Sequence, residues 1–455
     1  MRNILIIGAG RSTTSLIRYL IEKSSSENLH ITIGDISLES VQKLTKNHPN
    51  AKGILLDVFN KKQREEAIKS ADIVISMLPA RFHIEVAKDC ISYRKNLVTA
   101  SYISDEMQAL NKEVIEKGLV FMNEIGVDPG IDHMSAMQVI DTIRDKGGKL
   151  MLFESFTGGL IAPESDDNLW NYKFTWNPRN VVLAGQGGAA EFLQEGLHKY
   201  IPYNRLFRRT ELIKIKGYGE FEVYANRNSL KYQKVYGFKD ILTLYRGTIR
   251  RVGFSRAWNI FVQLGMTDDS YTIPNSENLS YREYVNLFLP YSPTDSIELK
   301  LRHNLKIDQD DLIWKKLKEI DIFSSKKYLE IKNATPAQAL QKILMEKWAL
   351  AKEDKDMIVM YHKFGYELNG KNYQIDSSMV TLGEDQTYTA MSKTVGLPVA
   401  IAALKILNKT ITTPGVLRPI DKEVYEPILK ELETYGVEFN EQKKEYLGYN
   451  PDKLD

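Results

Sequence analysis

The sequence predicts an α/β protein: a Rossmann-type, doubly wound parallel sheet followed by an α+β domain with an inserted helical lobe. In the first part of the chain, short apolar segments alternate with helical patterns, which is the βαβ rhythm of a parallel sheet. Further along, the apolar segments are short and bounded by turns, which favours a mixed or antiparallel sheet. The length of 455 residues also exceeds one ordinary domain of about 150 residues.

The composition is that of a soluble globular protein, with 43% hydrophobic and 26% charged residues. The 61 basic and 59 acidic side chains leave a formal net charge of +2, so we expect no nucleic-acid and no membrane-surface partner. No apolar run approaches the roughly 20 residues of a membrane span. The N-terminus lacks the pattern of a cleaved leader, and we expect a cytoplasmic location.

A single cysteine, Cys90, limits what thiols can contribute. One thiol excludes an intrachain disulfide, a zinc site with several cysteine ligands and a CxxC redox pair. We therefore predict no metal site. The class that fits best is a multidomain cytosolic enzyme.

The first predicted strand, residues 3–7, leads into a glycine-containing turn and a helix. Its continuous apolar character is typical of a strand buried on both faces of a parallel sheet. Gly8 permits the sharp turn, and Gly10 lets the backbone approach a pyrophosphate held at the helix N-terminus. Thr13 occupies the position of the usual third glycine. A tight strand–helix turn without a ligand stays the alternative.

The second strand, residues 30–34, ends at Asp35. A carboxylate there can accept hydrogen bonds from the adenosine ribose and would repel a 2′-phosphate, which favours NAD. Ile36, and no arginine, follows it directly. The alternative is a helix N-cap, because Asp35 and Ser37 both precede a helical stretch. The two roles can coexist.

Four further strands are predicted at residues 53–58, 71–79, 96–100 and 118–124. Ligands of such sheets lie beyond the carboxyl ends of the strands. The segments predicted to line a cofactor are therefore residues 57–58, 77–79, 100–102 and 126–130.

The alternation of apolar and polar residues divides the whole chain into three predicted segments. A Rossmann domain is predicted for residues 1–127, an α+β domain for 128–385 with a helical lobe at about 275–352, and C-terminal helices for 386–455 that return to the first domain. In the α+β domain, Asn369-Gly370 between two apolar runs indicates a two-residue hairpin. Thr335-Pro336 reads as the N-cap and first residue of a helix.

Several stretches together resemble one family. The most specific is Met122 to His133, with the sequence Met-Asn-Glu-Ile-Gly-Val-Asp-Pro-Gly-Ile-Asp-His. The others, in chain order, are Ser101-Tyr102-Ile103-Ser104, Gly158-Gly159-Leu160, Ala162-Pro163-Glu164, Tyr172 to Trp176, Arg246-Gly247-Thr248 and Thr394 to Ala402. Over nearly its whole length the chain resembles the glutamate-forming saccharopine dehydrogenases, also called saccharopine reductases.

This resemblance implies an NAD(P)-dependent oxidoreductase that acts on a CH–NH donor in lysine metabolism. The secondary amine of saccharopine would be oxidised, and water would release L-glutamate and 2-aminoadipate 6-semialdehyde; the reverse is reductive amination. The implied architecture is a Rossmann domain, an α+β substrate domain and a helical lobe. The small-molecule substrate is the expected partner, and a homodimer is the default oligomeric state.

The resemblance also implies the site residues, position by position. Cofactor contacts fall on Gly8, Gly10, Arg11, Ser12, Thr13, Thr14, Asp35, Asp57, Val58, Leu78, Ala100, Ser101, Val127, Asp128, Pro129 and Trp176. Substrate contacts fall on Ser101, Tyr102, Asp128, Arg227, Arg246, Gly247 and Thr248. Saccharopine carries three carboxylates, which suits arginine side chains. Asp128 and Tyr102 are the polar groups to which proton transfer is assigned.

Other roles stay open for several of these residues. Asp128 can be a turn carboxylate before Pro129-Gly130, and Arg227 and Arg246 can be members of surface ion pairs. For His133, inside a predicted helix, a structural role is favoured over a catalytic one.

Two departures from the family pattern matter. Thr157 stands where fungal members carry cysteine, so a role for that thiol does not transfer. Ile36 stands where they carry an arginine that suits the NADP 2′-phosphate, so NAD is favoured here without excluding NADP.

Two other functions compete with the main hypothesis. One is an imine reductase of the carboxyspermidine type, which shares the Rossmann opening. The other is a non-catalytic dinucleotide sensor, which would bind cofactor without turnover.

Overall fold

The computed structural model describes residues 1–184 and 186–446. The chain forms two compact units. Of the described residues, unit 1 comprises Met1–Lys149, Leu368–Gly370 and Met379–Glu441, and unit 2 comprises Leu150–Glu367, Lys371–Ser378 and residues 442–446.

The strands of the described residues are numbered in chain order. They are β1 (Arg2–Ile7), β2 (Leu29–Asp35), β3 (Ala51–Leu55), β4 (Ile73–Ser76), β5 (Asn96–Val98), β6 (Val120–Met122), β7 (Lys149–Ile161), β8 (Ala190–Gln194), β9 (Leu197–Ile201), β10 (Thr210–Ile215), β11 (Gly219–Ala225), β12 (Thr243–Arg251), β13 (Asp356–Leu368), β14 (Lys371–Leu382), β15 (Gly415–Leu417) and β16 (Asn440–Glu445).

The α-helices are numbered in the same way. They are α1 (Thr14–Lys23), α2 (Leu38–Thr45), α3 (Lys61–Lys69), α4 (His83–Ser92), α5 (Asp105–Ala109), α6 (Asn111–Glu116), α7 (Ile131–Asp145), α8 (Pro178–Leu183), α9 (Tyr203–Leu206), α10 (Phe254–Leu264), α11 (Tyr281–Asn286), α12 (Ile297–Leu305), α13 (Leu312–Glu319), α14 (Pro336–Trp348), α15 (Ala390–Leu407) and α16 (Lys422–Glu433).

Unit 1 is built on a parallel sheet with the strand order β15-β6-β5-β4-β1-β2-β3. This confirms the doubly wound fold class. The inner strands are apolar because helices cover both faces: Leu5 and Ile7 of β1 pack with Ile68 of α3 and Val86 of α4, while α15 packs on β4 and β5. The carboxyl ends of all seven strands lie along one edge, where a nucleotide would bind.

The limits of unit 1 differ from the predicted domain limits. Its first segment continues to Lys149 instead of ending at residue 127, because α7 packs against α16 within this unit. The structure also adds β15, which pairs with β6 and which the sequence analysis did not predict. Three residues are too few for a periodic pattern to be recognised.

Helix α15 is the most apolar helix of unit 1. By length and composition it is the one described helix that could cross a membrane, but 72% of it is buried inside the protein. It is continuous through Pro398 and packs against α1 and α16. Its apolar character is therefore that of a core helix.

Gly396 allows the close approach of α15 to α1. A Cβ atom at Gly396 would lie 2.9 Å from the backbone nitrogen of Leu16 and 3.1 Å from the carbonyl oxygen of Ser12. Both are backbone atoms and cannot rotate away. Gly396 therefore lets α15 pack directly against the backbone at the start of α1.

We expect Gly396→Val to destabilise the protein by about 1–3 kcal/mol through overpacking. The shift of the chemical-denaturation midpoint measures this effect. Gly188→Val is the matched control, because a Cβ atom at Gly188 would meet nothing within 4 Å. An equal shift in both variants would contradict the packing argument.

Unit 2 is built around a nine-stranded mixed sheet with the main order β10-β11-β12-β7-β13-β14-β16. β10, β11 and β12 are antiparallel neighbours, whereas β12 and β7 are parallel. Asn369 and Gly370 connect β13 to β14 with positive φ angles of 54° and 72°, as the hairpin signal predicts. β8 and β9 form a further hairpin beside β12.

Helices α11 to α14 lie within the range predicted for the helical lobe. The N-cap of α14 is Thr335, whose hydroxyl accepts a hydrogen bond from the Gln338 backbone N–H. A cluster of stacked and edge-on aromatic rings joins the helices to the loop before α8. Its members are Trp170, Tyr172, Phe174, Phe254, Trp258, Phe261 and Trp348.

Candidate active site

The loop between β1 and α1 has the geometry of a pyrophosphate cradle. Gly8 has φ +103°, and a Cβ atom there would lie 2.8 Å from the carbonyl oxygen of Met77. At Gly10 a Cβ atom would meet nothing within 4 Å, so the backbone faces open space. The loop therefore fits a dinucleotide, with room where a phosphate approaches the start of α1.

The residues after Gly10 divide into exposed and buried groups. Arg11 is exposed and Ser12 is half-buried, whereas the side chains of Thr13 and Thr14 are buried. The Thr13 hydroxyl donates to the carbonyl of Gly10 at 2.6 Å. The Thr14 hydroxyl donates to the carbonyl of Thr387 at 2.6 Å. Thr13 and Thr14 thus brace the loop with their side chains, and their predicted cofactor contacts stay predictions.

Asp35 ends β2 beside this loop. Its Oδ2 accepts a hydrogen bond from the Ala9 N–H at 2.7 Å, and its Oδ1 accepts one from the Ser37 N–H at 2.9 Å. The N-cap of α2 is Ser37, not Asp35. The carboxylate therefore fixes the glycine loop, and its position at the strand end is that of a ribose-binding group. The Ile36 side chain is 74% exposed and carries no charge.

The ends of β3 and β4 supply the next predicted contacts. Asp57 is exposed, and its carboxylate accepts a hydrogen bond from the Phe59 N–H at 2.9 Å. Val58 is buried, and Leu78 is partly buried against the same apolar core. Both strands end at the edge that carries the glycine loop.

The loops after β5 and β6 bring the two predicted catalytic residues together. The Tyr102 hydroxyl donates to Oδ1 of Asp128 at 3.2 Å. A Cβ atom at Gly126 would lie 3.0 Å from that of Ala100, so the two loops touch. Val127 and Pro129 are buried on either side of the half-buried Asp128. This arrangement presents a carboxylate and a phenol at the edge of the sheet that the dinucleotide would occupy.

A buried ionic network supports these two loops. Glu124 is 2% exposed; its carboxylate accepts hydrogen bonds from the Ile103 N–H at 3.0 Å and from Arg418 Nε at 2.9 Å, and lies 3.1 Å from His133 Nε2. Burial raises the pKa of Glu124, but His133 and Arg418 outweigh it and the net pKa lies below the usual range. Because His133 is fully buried in this network, its geometry fits the structural role that the sequence favours.

His83 is a site residue that the sequence analysis missed. Its ring lies between the hydroxyls of Ser76, at the end of β4, and Ser101, after β5, with distances of 2.8 and 2.7 Å. It also lines a small cavity of about 150 Å³ together with Tyr102, Ser104, Met107 and Asn123. The only hint in the sequence was that hydroxyl side chains, Ser76, Thr99 and Ser101, lie at or just after the ends of two adjacent strands and need a hydrogen-bond partner.

In unit 2, Arg246 and Thr248 lie on one face of β12. Arg246 is 6% exposed and its guanidinium carbon lies 4.2 Å from the centroid of the Tyr232 ring. Its backbone N–H donates to the Ser229 hydroxyl at 2.9 Å. Thr248 pairs with Thr157 of β7 and Tyr224 of β11. Arg246 is thus a buried side chain, whereas the alternative role in a surface ion pair assumed an exposed one.

The other predicted contacts in unit 2 have different surroundings. Arg227 is exposed, follows β11 and has φ 44°. Gly247 lies on the opposite face to Arg246, where a Cβ atom would lie 2.5 Å from Val223 Cγ1, so only its backbone can reach a ligand on the Arg246 face. Trp176 is half-buried in the loop before α8.

Some buried polar atoms of unit 2 lack a hydrogen-bond partner among the described residues. They include Thr157 Oγ1, Tyr172 Oη and Arg250 Nε. Arg250 shares the face of Arg246 and Thr248, and its guanidinium carbon lies 5.1 Å from the Tyr172 ring centroid. Buried polar groups are ordinarily hydrogen-bonded, so these donors fit a polar, anionic ligand on this face.

The structure thus assembles two groups of predicted residues. In unit 1, the glycine loop, Asp35, Leu78, Ser101, Tyr102 and Asp128 share one sheet edge. In unit 2, Arg246 and Thr248 share one sheet face, and Arg227 follows the neighbouring strand.

Comparison with known protein families identifies both parts of the chain. Residues 4–122 match the saccharopine dehydrogenase NADP-binding domain, and residues 126–437 match the saccharopine dehydrogenase C-terminal domain. The chain belongs to the saccharopine dehydrogenase family.

Individual relatives agree with this assignment. The NADP(+)-dependent, L-glutamate-forming saccharopine dehydrogenase of Saccharomyces cerevisiae is 33% identical over 97% of this chain and 99% of its own length. The solved structure of the apo, histidine-tagged saccharopine dehydrogenase (L-Glu forming) from Saccharomyces cerevisiae superposes with a TM-score of 0.88, at 32% identity, covering 98% of this chain and 100% of that one. The mitochondrial alpha-aminoadipic semialdehyde synthase of Mus musculus is 34% identical over 97% of this chain, which spans only 48% of its length.

Proposed function

We propose that the protein oxidises saccharopine with a nicotinamide cofactor and water, releasing L-glutamate and 2-aminoadipate 6-semialdehyde, or catalyses the reverse reaction. The observation that carries the proposal is the contact between Tyr102 and Asp128 at the carboxyl edge of the sheet, beside the glycine loop. The family membership and the printed activity of the yeast relative, which is matched over its full length, support the same reaction.

The residues of unit 1 hold the dinucleotide. Gly8 and Gly10 let the backbone approach the pyrophosphate, and Asp35 lies where the adenosine ribose hydroxyls would be bound. A nicotinamide held by these residues would supply the acceptor for the hydride that leaves the carbon beside the secondary amine of the substrate. Ser101 lies in the loop after β5, where a hydroxyl can hydrogen-bond to cofactor and substrate.

Asp128 and Tyr102 are the residues to which we assign proton transfer. Hydride leaves only from the neutral amine, and the resulting iminium must then be attacked by water. The Asp128 carboxylate is placed to take a proton from the amine or from the attacking water, while the Tyr102 hydroxyl donates to that carboxylate. The arginines of unit 2 bind carboxylates of the substrate, since guanidinium groups pair with them bidentately.

The competing functions predict different behaviour. A carboxyspermidine-type reductase is not expected to keep both the Met122 to His133 block and the Arg246-Gly247-Thr248 segment, and this chain has both. The family match also covers both domains of a saccharopine dehydrogenase. A sensor that binds cofactor without turnover has no need of the Tyr102–Asp128 pair. Neither alternative is supported by a specific observation.

The direct test is the increase in absorbance of the reduced nicotinamide when purified protein is mixed with saccharopine and either NAD or NADP. Turnover with one of them is the expected result, and glutamate should form in equal amount. Tight cofactor binding without turnover would instead favour the sensor.

Ile36→Arg is expected to shift the kcat/KM ratio towards NADP by about tenfold, because a guanidinium beside the ribose would pair with the 2′-phosphate. We propose that the wild-type protein prefers NAD, since Asp35 is anionic and Ile36 is uncharged. Parallel kinetics with both cofactors measure the ratio. Leu38→Arg, an exposed change two residues later, is the control. A wild-type preference for NADP would refute the argument that the Asp35 carboxylate disfavours the 2′-phosphate.

The homodimer and the cytoplasmic location are proposals as well. Light scattering after size-exclusion chromatography tests the first, and fractionation of cells tests the second.

A further inference from the structure

His83 connects two strand ends through hydrogen bonds. Its Nδ1 lies 2.8 Å from the Ser76 hydroxyl, and its Nε2 lies 2.7 Å from the Ser101 hydroxyl and 3.3 Å from that of Thr99. The ring is 4% exposed, and burial lowers the pKa of His83 to about 4. At neutral pH it is therefore an uncharged imidazole with one N–H donor and one acceptor nitrogen.

Ser76 determines which nitrogen carries the hydrogen. This residue is 0% exposed, and among the described residues its hydroxyl has His83 as its hydrogen-bond partner. If Nδ1 carried the hydrogen, the Ser76 hydroxyl would only accept, and its own hydrogen would be buried without a partner. A buried unsatisfied donor costs about 1–3 kcal/mol. The buried Thr99 hydroxyl makes the opposite demand on Nε2, but its contact of 3.3 Å is longer than the 2.8 Å contact of Ser76. On this geometry the shorter contact sets the tautomer: the Ser76 hydroxyl donates to Nδ1, and the imidazole hydrogen is on Nε2.

This tautomer fixes the direction of the next hydrogen bond. Nε2–H donates to the oxygen of Ser101, so the hydroxyl hydrogen of Ser101 is left to donate to another group. Ser101 is half-buried after β5, and the backbone carbonyl of Ser101 accepts from the Glu124 N–H at 3.0 Å, which holds its loop against the loop after β6. A hydroxyl held in this way is an oriented donor at the sheet edge.

We propose that His83 is a positioning residue that, with Ser76, holds Ser101 as a hydrogen-bond donor towards an oxygen acceptor of the cofactor or the substrate. This inference rests on the proposed function of Ser101. It assigns no proton-transfer step to His83, because the hydrogen-bonded series Ser101–His83–Ser76 ends at the buried Ser76 hydroxyl, which has no contact with solvent.

Two substitutions of His83 separate the roles of its nitrogens. The amide of Gln reaches the position of Nε2 and can still donate to Ser101, whereas the amide of Asn reaches only the position of Nδ1 and contacts Ser76. We expect His83→Asn to lower kcat/KM for saccharopine by about tenfold, the effect of losing one hydrogen bond to a bound ligand. His83→Gln should keep most of the activity. His303→Gln, on α12, is the control.

A double-mutant cycle tests whether His83 acts through Ser101. Ser101→Ala should lower kcat/KM about as much as His83→Asn, and the double variant should lose no more than either one. Additive losses, or equal losses in His83→Gln and His83→Asn with unchanged folding, would overturn the proposal and leave His83 a packing residue.

A measurement on the tautomer is independent of turnover. In protein labelled with ¹⁵N-histidine, the signals that disappear in His83→Gln should be those of an Nε2–H imidazole, and Ser76→Ala should change them. If the wild-type protein oxidises no saccharopine, the proposed function fails, while this signal still shows whether His83 is the Nε2–H tautomer that orients Ser101. An Nδ1–H or doubly protonated ring at pH 7 would overturn it.

Discussion

Replacement of Arg246 by methionine is expected to raise KM for saccharopine on the order of 100-fold, with little change in KM for the cofactor. Arg246 is buried on the face of β12 that also carries Thr248 and Arg250. Loss of a buried, charge-assisted pair with a ligand typically costs about 2–5 kcal/mol. Methionine keeps the length and apolar volume of the stem but removes every donor. Initial rates over a range of saccharopine concentrations at saturating cofactor measure the effect.

Arg251→Met is the matched control for this experiment. It makes the same chemical change on the same strand, but Arg251 points to the other face, where its guanidinium donates to the carbonyl of Tyr218 at 2.8 Å. We expect its KM for saccharopine to stay near that of the wild type. If Arg246→Met folds normally and binds saccharopine as before, Arg246 is not a substrate ligand.

The doubly wound sheet could be predicted because each of its strands and helices is indicated by a short, continuous stretch of sequence. Continuous apolar runs, glycines at a strand end and helical periodicity each predict one element, and the connection rules for βαβ units then leave only a few topologies for a parallel sheet. The three residues of β15 carry no such pattern, and they become a strand only because β6 offers a free edge. The same holds for α7, whose place in unit 1 depends on its packing against α16.

Only those residues of the candidate site that lie at strand ends or in recognisable motifs could be predicted from the sequence. The rule that ligands lie beyond the carboxyl ends of parallel strands is enough to indicate Ser101, Tyr102 and Asp128. It could not indicate His83, because that residue follows a 3-10 turn and opens a helix, where a lone histidine carries no signal of its own. Only the fold brings Ser76 and Ser101 to its two nitrogens.

The buried donors of unit 2 that lack a partner within residues 1–184 and 186–446 could not be recognised in the sequence either. Arg250 and Tyr172 are far apart in the chain and meet because β12 faces the aromatic cluster. Whether a buried polar atom has a partner is a property of the packed structure, so no motif records it.

Asp128→Asn is expected to lower kcat by about 100-fold while KM for saccharopine changes little. An amide matches the carboxylate in shape and can still accept the hydrogen bond from Tyr102, but it cannot take up a proton. Removal of a positioned general base typically costs about 10²–10⁴-fold. The control is Asp105→Asn, an exposed carboxylate in the first turn of α5, which should keep full activity.

Tyr102→Phe separates orientation from proton transfer. It removes the hydroxyl that donates to Asp128 at 3.2 Å and leaves the carboxylate in place. Since one hydrogen bond typically contributes about 0.5–1.5 kcal/mol, the loss in kcat should be about tenfold or less. Equal losses in Tyr102→Phe and Asp128→Asn would mean that the pair acts as one unit. Wild-type kcat in Asp128→Asn would mean that this carboxylate only shapes the turn and that solvent water removes the proton.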